Sequence, residues 1–434
     1  MSAVVRVGLL GCGNVGAAVV RMLHDHAEDI SRRSGTDIRI VRVGVRDAER
    51  PRDVPLDPDA FTGDLRSVVV GDDVDVVVEL LGGIDPARSL MLEAFAAGKS
   101  VVTANKELLA NHSLELFRAA TAQRVDVLYE ASVGGGIPLI RPLRESLAGD
   151  RIERFIGIVN GTTNYVLTRM AEDGIGLEDA LKDAQALGYA EADPSADVDG
   201  HDAAAKAAIL ATIAFDLPVV AGDVYREGIR DVRPEDIAYA RGLGYTVKLL
   251  ALGDADDGEV SVRVYPAMIP SEHPLAAVRD SFNAVYLEGE KVGPLMLYGR
   301  GAGGDPTATA VVGDLIELAR DRAAGVGPGR PLVAHTPERP RGRIRPIEEL
   351  SSQYYILLRV TDRPGVLAAI AGAFAEHDVS IKSVRQEGHG EEAQLVLITH
   401  RATEGSLRSC VEELGGLDSV QAVTSVLRVE AGEP

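Results

Sequence analysis

The chain of 434 residues holds only two cysteines, Cys12 and Cys410, far apart in sequence. That excludes a disulfide framework. Positive charge is scarce: 45 Lys and Arg stand against 66 Asp and Glu, for a net charge of −21. No nucleic-acid or anionic-membrane partner is therefore expected, and the acidic surplus serves solubility. Apolar runs are broken by charge well before the ~20 residues a membrane span needs. The first strand starts within a few residues of Met1, which leaves no room for a signal peptide. The nine histidines are dispersed, and none pairs with Cys, Asp or Glu at metal-ligand spacing. A cytoplasmic location without a zinc centre is expected.

Against these absences stands one strong motif. The apolar run Arg6–Leu10 ends in Gly11-Cys12-Gly13-Asn14-Val15-Gly16 and passes into the helical pattern Ala17–Leu23. Strand, glycine turn and helix in that order suit a dinucleotide pyrophosphate. Gly11 permits the tight turn, Gly13 lets the backbone approach the phosphates, and Gly16 allows close packing of helix and strand. The helix start, around Asn14 and Val15, offers unpaired N–H groups to the anion. A second strand, Asp37–Val45, ends in Arg46-Asp47. Arg46 suits the 2′-phosphate of NADP, whereas the adjacent Asp47 leaves NAD open. Cys12 lies in the phosphate loop and Cys410 in the tail, so neither is placed to attack an aldehyde held at a nicotinamide. Proton transfer is left to Lys, Asp, Glu or Tyr.

Strands expected near 4–10, 38–45, 74–80, 99–103 and 125–129 alternate with helices. The fold class is α/β, with a Rossmann-type doubly wound parallel sheet over residues 1–130. Residues 131–325 read as an α+β region. The Gly-, Pro- and Arg-rich stretch at 326–350 reads as a linker. Residues 351–434 follow strand 354–361, helix 365–377, strands 379–387 and 393–400, helix 404–414 and strand 419–429. That is a βαββαβ, ferredoxin-like order.

Two lysines stand out. Thr103, Asn105 and Lys106 follow a strand and enter a helix, which places them in the cofactor crevice. Lys206 follows the acidic loop Gly188–Asp202 and lies among Ala, Ile and Leu, one helical turn from Asp202. Such a lysine is poorly solvated, and its pKa should fall towards the working range of an acid or base. A surface i,i+4 pair worth about 0.3–0.5 kcal/mol is an equally good reading of the same residues. The stretch Glu130–Pro138 contains three consecutive glycines. Its carbonyls could hold a small cation, although a flexible loop is the simpler reading.

Taken together, the motifs resemble those of monofunctional homoserine dehydrogenases that carry a C-terminal ACT domain. They are Gly8–Gly16, Glu79-Leu80-Leu81-Gly82-Gly83, Thr103–Lys106, Glu130–Pro138, Asn160-Gly161-Thr162-Thr163-Asn164-Tyr165, Gly188–Pro194 and Asp197–Lys206. They occur in family order along the chain. Since residue 1 leads straight into the first strand, a fused kinase is not expected. The resemblance implies reversible NAD(P)-dependent interconversion of L-homoserine and L-aspartate 4-semialdehyde, on the route to threonine, methionine and isoleucine.

The resemblance also implies roles. Residues 131–325 would form a substrate and dimerisation domain. Lys206 matches the proton donor and acceptor, and Lys106 the second active-site lysine. Glu191 and Asp202 match carboxylates that bind homoserine, with Thr162 and Tyr189 beside them. Gly82, Gly188 and Gly303 match cofactor contacts. The carbonyls of Glu130, Val133, Gly135 and Ile137 match a monovalent cation site, usually sodium. The turn Val360–Leu367 is similar to that of ACT domains, where Asp362, Gly365 and Val366 would meet an amino-acid effector. L-threonine is the effector implied, and a homodimer or homotetramer the assembly.

Overall fold

The computed structural model describes residues 4–329, 342–388 and 393–430. The chain forms two compact units. Residues 1–155, 205–224 and 283–342 make the first, and residues 156–204, 225–282 and 343–434 the second.

Six strands build the sheet of the first unit: β1 (Val4–Leu10), β2 (Asp37–Gly44), β3 (Phe61–Thr62), β4 (Val76–Glu79), β5 (Ser100–Thr103) and β6 (Val127–Leu128). They lie in the order β3-β2-β1-β4-β5-β6, and all are parallel. β1 has β2 on one side and β4 on the other, so the winding reverses there. Ligands bind beyond the carboxyl ends of the strands at such a reversal. β4 and β5 are buried along their whole length. That explains the adjacent valines Val76–Val78 and Val101–Val102, since helices cover both faces of a parallel sheet. The two-residue β3 is too short to leave a period in the sequence.

The helix Gly304–Ala323 falls inside the expected middle domain, yet it packs on the nucleotide-binding sheet. Its Ala308, Val311, Leu315 and Leu318 share one core with Val19, Leu23 and Ile30. Spacing of 3.6 residues reveals an apolar face but not the partner that covers it.

The remaining strands are β7 (Ile152–Ile158), β8 (Tyr225–Arg226), β9 (Tyr245–Asp256), β10 (Glu259–Pro270), β11 (Phe282–Gly289), β12 (Gly293–Arg300), β13 (Arg343–Ile344), β14 (Ser351–Val360), β15 (Ile381–Glu387), β16 (Ala393–Thr399), β17 (Ala402–Thr403) and β18 (Val420–Val429). In the second unit β9-β10-β18-β14-β16-β15 form one mixed sheet. β10 joins β18 in parallel at Ala267↔Arg428 and Met268↔Val429. The other neighbours along that path are antiparallel.

The tail has the expected βαββαβ order, with helices Val366–Glu376 and Glu404–Gly416. Their apolar faces, including Ile370, Phe374, Leu407 and Leu414, meet Ile356, Leu358, Leu395 and Leu397 of the sheet. Part of the expected linker, 330–341, lies outside the described residues. Arg343 and Ile344 are not linker-like: they form β13, which pairs with Glu259 and Val260 of β10. Among the described residues no helix is long and apolar enough to cross a membrane.

Candidate active site

β1 delivers the chain to the glycine turn. Gly11 has φ +93°, and a Cβ there would lie 2.7 Å from the Leu80 carbonyl oxygen. Glycine is therefore required twice over. A Cβ on Gly16 would lie 2.2 Å from the Gly11 carbonyl oxygen. Gly16 thus closes the loop on itself as well as bringing helix and strand together. Nothing lies within 4 Å of the Cβ position of Gly13. Helix Asn14–Asp25 has Gly13 as its N-cap and no side-chain cap. Its first N–H groups remain for an anion. The late glycine segment meets this loop: a Cβ on Gly304 would lie 2.8 Å from Asn14 Oδ1. Gly303, at φ +122°, directly precedes it.

Arg46 is exposed just past β2. Asp47 Oδ1 accepts the N–H groups of Glu49 and Arg50, so that oxygen is committed to its own turn. Two further arginines, missed in the sequence, concentrate positive charge here. Arg52 donates to the carbonyls of Asp47 and Arg50 and lies 5.1 Å from the Phe61 ring centroid. Arg21 donates to the Asp53 carbonyl. Burial pushes the Cys12 thiol up, while Arg52 and Arg21 act to lower it.

Glu79, at the end of β4, is fully buried. Thr103 Oγ1 donates to it at 2.6 Å and the Leu81 N–H at 2.8 Å. Burial raises its carboxyl pKa even against these donors. Thr103 Oγ1 also accepts the Asn105 N–H, so the hydroxyl is engaged on both sides. Asn105 caps helix Lys106–Gln123 and donates to the Gly83 carbonyl at 2.7 Å. This network fixes the turn that carries Gly82. Lys106 is exposed at the helix start.

The glycine-rich stretch is an ordered, mostly buried loop rather than a flexible one. The Glu130 carboxylate accepts the N–H groups of Leu139, Ile140 and Arg141. Gly134 and Gly135 have positive φ. A Cβ on Gly135 would lie 2.5 Å from the Gly301 carbonyl oxygen. The Gly134 carbonyl is taken by the Ile137 N–H. Val133 and Ile137 are buried beside them. Asp314 accepts the Glu130 N–H at 2.9 Å and pairs with Arg141. Burial pushes its carboxyl up to about 7.

The second unit carries the acidic loop. Thr162 Oγ1 donates to the Tyr189 carbonyl at 2.7 Å, and the Tyr165 and Tyr189 rings lie 5.1 Å apart. Gly188 supplies the positive φ, +75°, at the start of the loop. Glu191 is exposed, and its carbonyl accepts from Gln185. Asp202 and Lys206 lie one turn apart on helix His201–Ala214, each only 8% exposed. A solvated surface pair is thereby ruled out. Asn160 Nδ2 donates to Asp197 Oδ1 at 2.7 Å and to Asp202 Oδ2 at 2.9 Å. Neither Asn160 nor Asp197 was legible as a site residue, because their link crosses about 40 positions of sequence.

In the tail, Asp362, Gly365 and Val366 line one cavity of about 160 Å3 with Arg363 and Gln386. Gly365 has φ +94° and caps helix Val366–Glu376. A larger cavity, about 830 Å3, lies between helix Asn14–Asp25 and β2 and contains none of the expected site residues. Among the described residues no cluster of His, Cys, Asp and Glu has the form of a metal site.

Three family models match the chain. Residues 11–130 match the homoserine dehydrogenase NAD-binding domain, 138–316 homoserine dehydrogenase, and 354–418 the ACT domain. A homoserine dehydrogenase of Mycobacterium tuberculosis is 50% identical, over 98% of each chain. The crystal structure of one from Thiobacillus denitrificans superposes with TM-score 0.93 at 41% identity, covering 99% of this chain and 98% of that one. A hyperthermophilic archaeal homoserine dehydrogenase in complex with NADPH matches with TM-score 0.63 and 27% identity, over 76% of this chain and 100% of that one.

Proposed function

The chain belongs to the homoserine dehydrogenase family, and from that premise we propose how its residues divide the work. The reaction is the reversible oxidation of L-homoserine to L-aspartate 4-semialdehyde. The observation that carries the assignment of roles is the burial of Asp202 and Lys206 on one apolar helix. Burial leaves no surface role for the pair, and its helix follows directly on the acidic loop that carries the expected substrate residues Tyr189 and Glu191.

Glu191 and Asp202 anchor the substrate through its amino and hydroxyl groups, with Thr162 and Tyr189 beside them. Lys206 takes the proton from the C4 hydroxyl in the oxidation and returns it in the reduction. Lys106 supplies a second positive charge to the developing alkoxide. A bound nicotinamide dinucleotide supplies the hydride chemistry. The chain holds it with the N–H groups after Gly13 and with the glycines at 11, 16, 82, 188 and 303. The arrangement of the loop fits that group, since the space beside Gly13 is open and no side chain caps the helix start that follows it.

NADP is the preferred form. Arg46, Arg52 and Arg21 gather positive charge near the end of β2, while one Asp47 oxygen is occupied by its own turn. The carbonyls of Glu130, Val133, Gly135 and Ile137 take a sodium ion whose role is structural. The ordered, buried loop supports this.

The ACT domain takes L-threonine as effector at the cavity of Asp362, Gly365 and Val366, which has the volume of a small amino acid. β15 ends the strand order and is exposed along most of its length. Such an edge suits pairing with a second copy, as a homodimer or within a homotetramer. The enzyme then works in the reductive direction, in the synthesis of threonine, methionine and isoleucine.

The test is Lys206→Ala. Turnover of L-homoserine is expected to fall by at least about a thousandfold, some 4 kcal/mol, with the Kd for NADP unchanged. A variant that kept wild-type kcat would remove Lys206 from proton transfer.

A further inference from the structure

One amide holds the acidic site together. Asn160 is 5% exposed and precedes helix Gly161–Asp173 as its N-cap. Its two amide hydrogens go to two different carboxylates, Asp197 Oδ1 at 2.7 Å and Asp202 Oδ2 at 2.9 Å. Its amide oxygen accepts the Thr163 N–H at 2.8 Å and the Thr163 hydroxyl at 2.9 Å. All the bonding capacity of the side chain is therefore used. The orientation is fixed by chemistry: a flipped amide would point its oxygen at two carboxylates and its NH2 at a backbone N–H.

The placement matters because of what each carboxylate belongs to. Asp197 sits in the short helix Ser195–Val198 within the acidic loop. Asp202 sits in the first turn of the lysine helix. Two residues beyond Asn160, Thr162 holds the Tyr189 carbonyl at the other end of the same loop. A single helix start therefore ties down both ends of the loop and the beginning of helix His201–Ala214. Two carboxylate oxygens bound to one nitrogen lie within about 6 Å of each other. Without a neutral double donor between them, like charges at that separation repel and move apart.

We infer that Asn160 is a positioning residue for L-homoserine: its amide sets the spacing of Asp197 and Asp202, and with it the place of the Asp202 carboxylate that anchors the substrate. The inference rests on the homoserine dehydrogenase reading above. It leaves proton transfer to other groups, so its loss should weaken substrate binding more than chemistry.

Asn160 also caps a helix, and the test must separate the two roles. Serine and aspartate both cap helices well but offer no pair of N–H donors. Asn160→Ser and Asn160→Asp therefore keep the cap and remove the bridge. The measurements are kcat and KM for L-homoserine, the Kd for NADPH, and Tm, on the full-length enzyme. For Asn160→Ser we expect KM to rise at least about tenfold, kcat to fall less than KM rises, Tm to move by less than about 2 °C, and the NADPH Kd to stay put. Asn160→Asp should be at least as impaired in kcat/KM. If both variants fold and stay within about twofold of wild type in kcat/KM, the residue is only a cap and the inference is overturned. Loss of fold in both would assign Asn160 to folding and overturn it equally. A wild-type enzyme that failed to turn over homoserine would instead overturn the reading on which the inference rests.

Discussion

Arg428 offers the sharpest test of how the second unit is held together. Its side chain is 6% exposed, where β18 runs beside β10. It forms paired hydrogen bonds to Glu227, both at 2.8 Å, and to Glu404 at 3.0 and 2.6 Å. Its guanidinium lies 4.4 Å from the Tyr265 ring centroid. Burial acts to lower the Arg428 pKa, but the hydrogen bonds and charges of both glutamates outweigh it and raise the pKa. Arg428→Met removes the charge and keeps much of the apolar stem. Among the described residues, Glu404, 10% exposed, is then left buried with the Tyr354 hydroxyl as its remaining side-chain donor. Glu227, 35% exposed, regains some water. Breaking a buried ion pair from one side costs about 3–5 kcal/mol, and the partial exposure of Glu227 puts this case near 3 kcal/mol. For a unit of this size that is a fall in Tm of roughly 6–12 °C. Scanning calorimetry of wild type and variant reads it directly. The double variant Arg428→Met with Glu404→Gln should recover part of the loss, since the stranded charge is gone. A single variant within about 1 °C of wild type would refute the reasoning.

Other outcomes follow from particular residues. Lys248 is buried and donates to Asn164 Oδ1 at 2.9 Å, and burial pulls its ammonium down to about 8 from 10.5. Between those values the unfolded chain holds one more proton than the folded one, so this residue's contribution to stability rises with pH. Denaturant titrations should show wild type gaining about 3 kcal/mol on Lys248→Met between about pH 7 and pH 11, and parallel curves would contradict the burial argument. Gly16→Ala drives a methyl group into the Gly11 carbonyl. The Kd for NADPH, read by fluorescence titration, should rise at least about tenfold, and an unchanged value would detach this loop from the cofactor. Arg46→Ala should lower the ratio of NADP- to NAD-linked kcat/KM by roughly tenfold, the worth of one charge-assisted hydrogen bond. A constant ratio would pass that role to Arg52 or Arg21.

Local order was readable wherever period and punctuation agreed. The strand, glycine turn and helix at residues 4–25 were legible because each step carries its own residue signal. The βαββαβ tail was legible for the same reason, with its turn glycine Gly365 at φ +94°. What escaped was long-range. Helix Gly304–Ala323 showed its apolar face but not that the nucleotide-binding sheet would cover it. The glycines at 134–136 read as a flexible loop, because their need arises from the side chain of Leu139, the carbonyl of Gly301 and the ring of Pro306. Lys248 sits in β9, where seven successive residues are buried, so no alternation marks it as internal. Lys206 was evenly balanced between surface and interior until the fold buried it. Asn160 lay in a family motif, yet its work became visible only when residues 160, 197 and 202 met.

The central claim is the reaction itself. Purified chain should oxidise L-homoserine with NADP, followed by the absorbance of the reduced nicotinamide, faster than with NAD. Steady turnover that depends on both homoserine and the dinucleotide is the predicted result. Folded protein that binds NADP but turns over homoserine with neither cofactor would contradict the account.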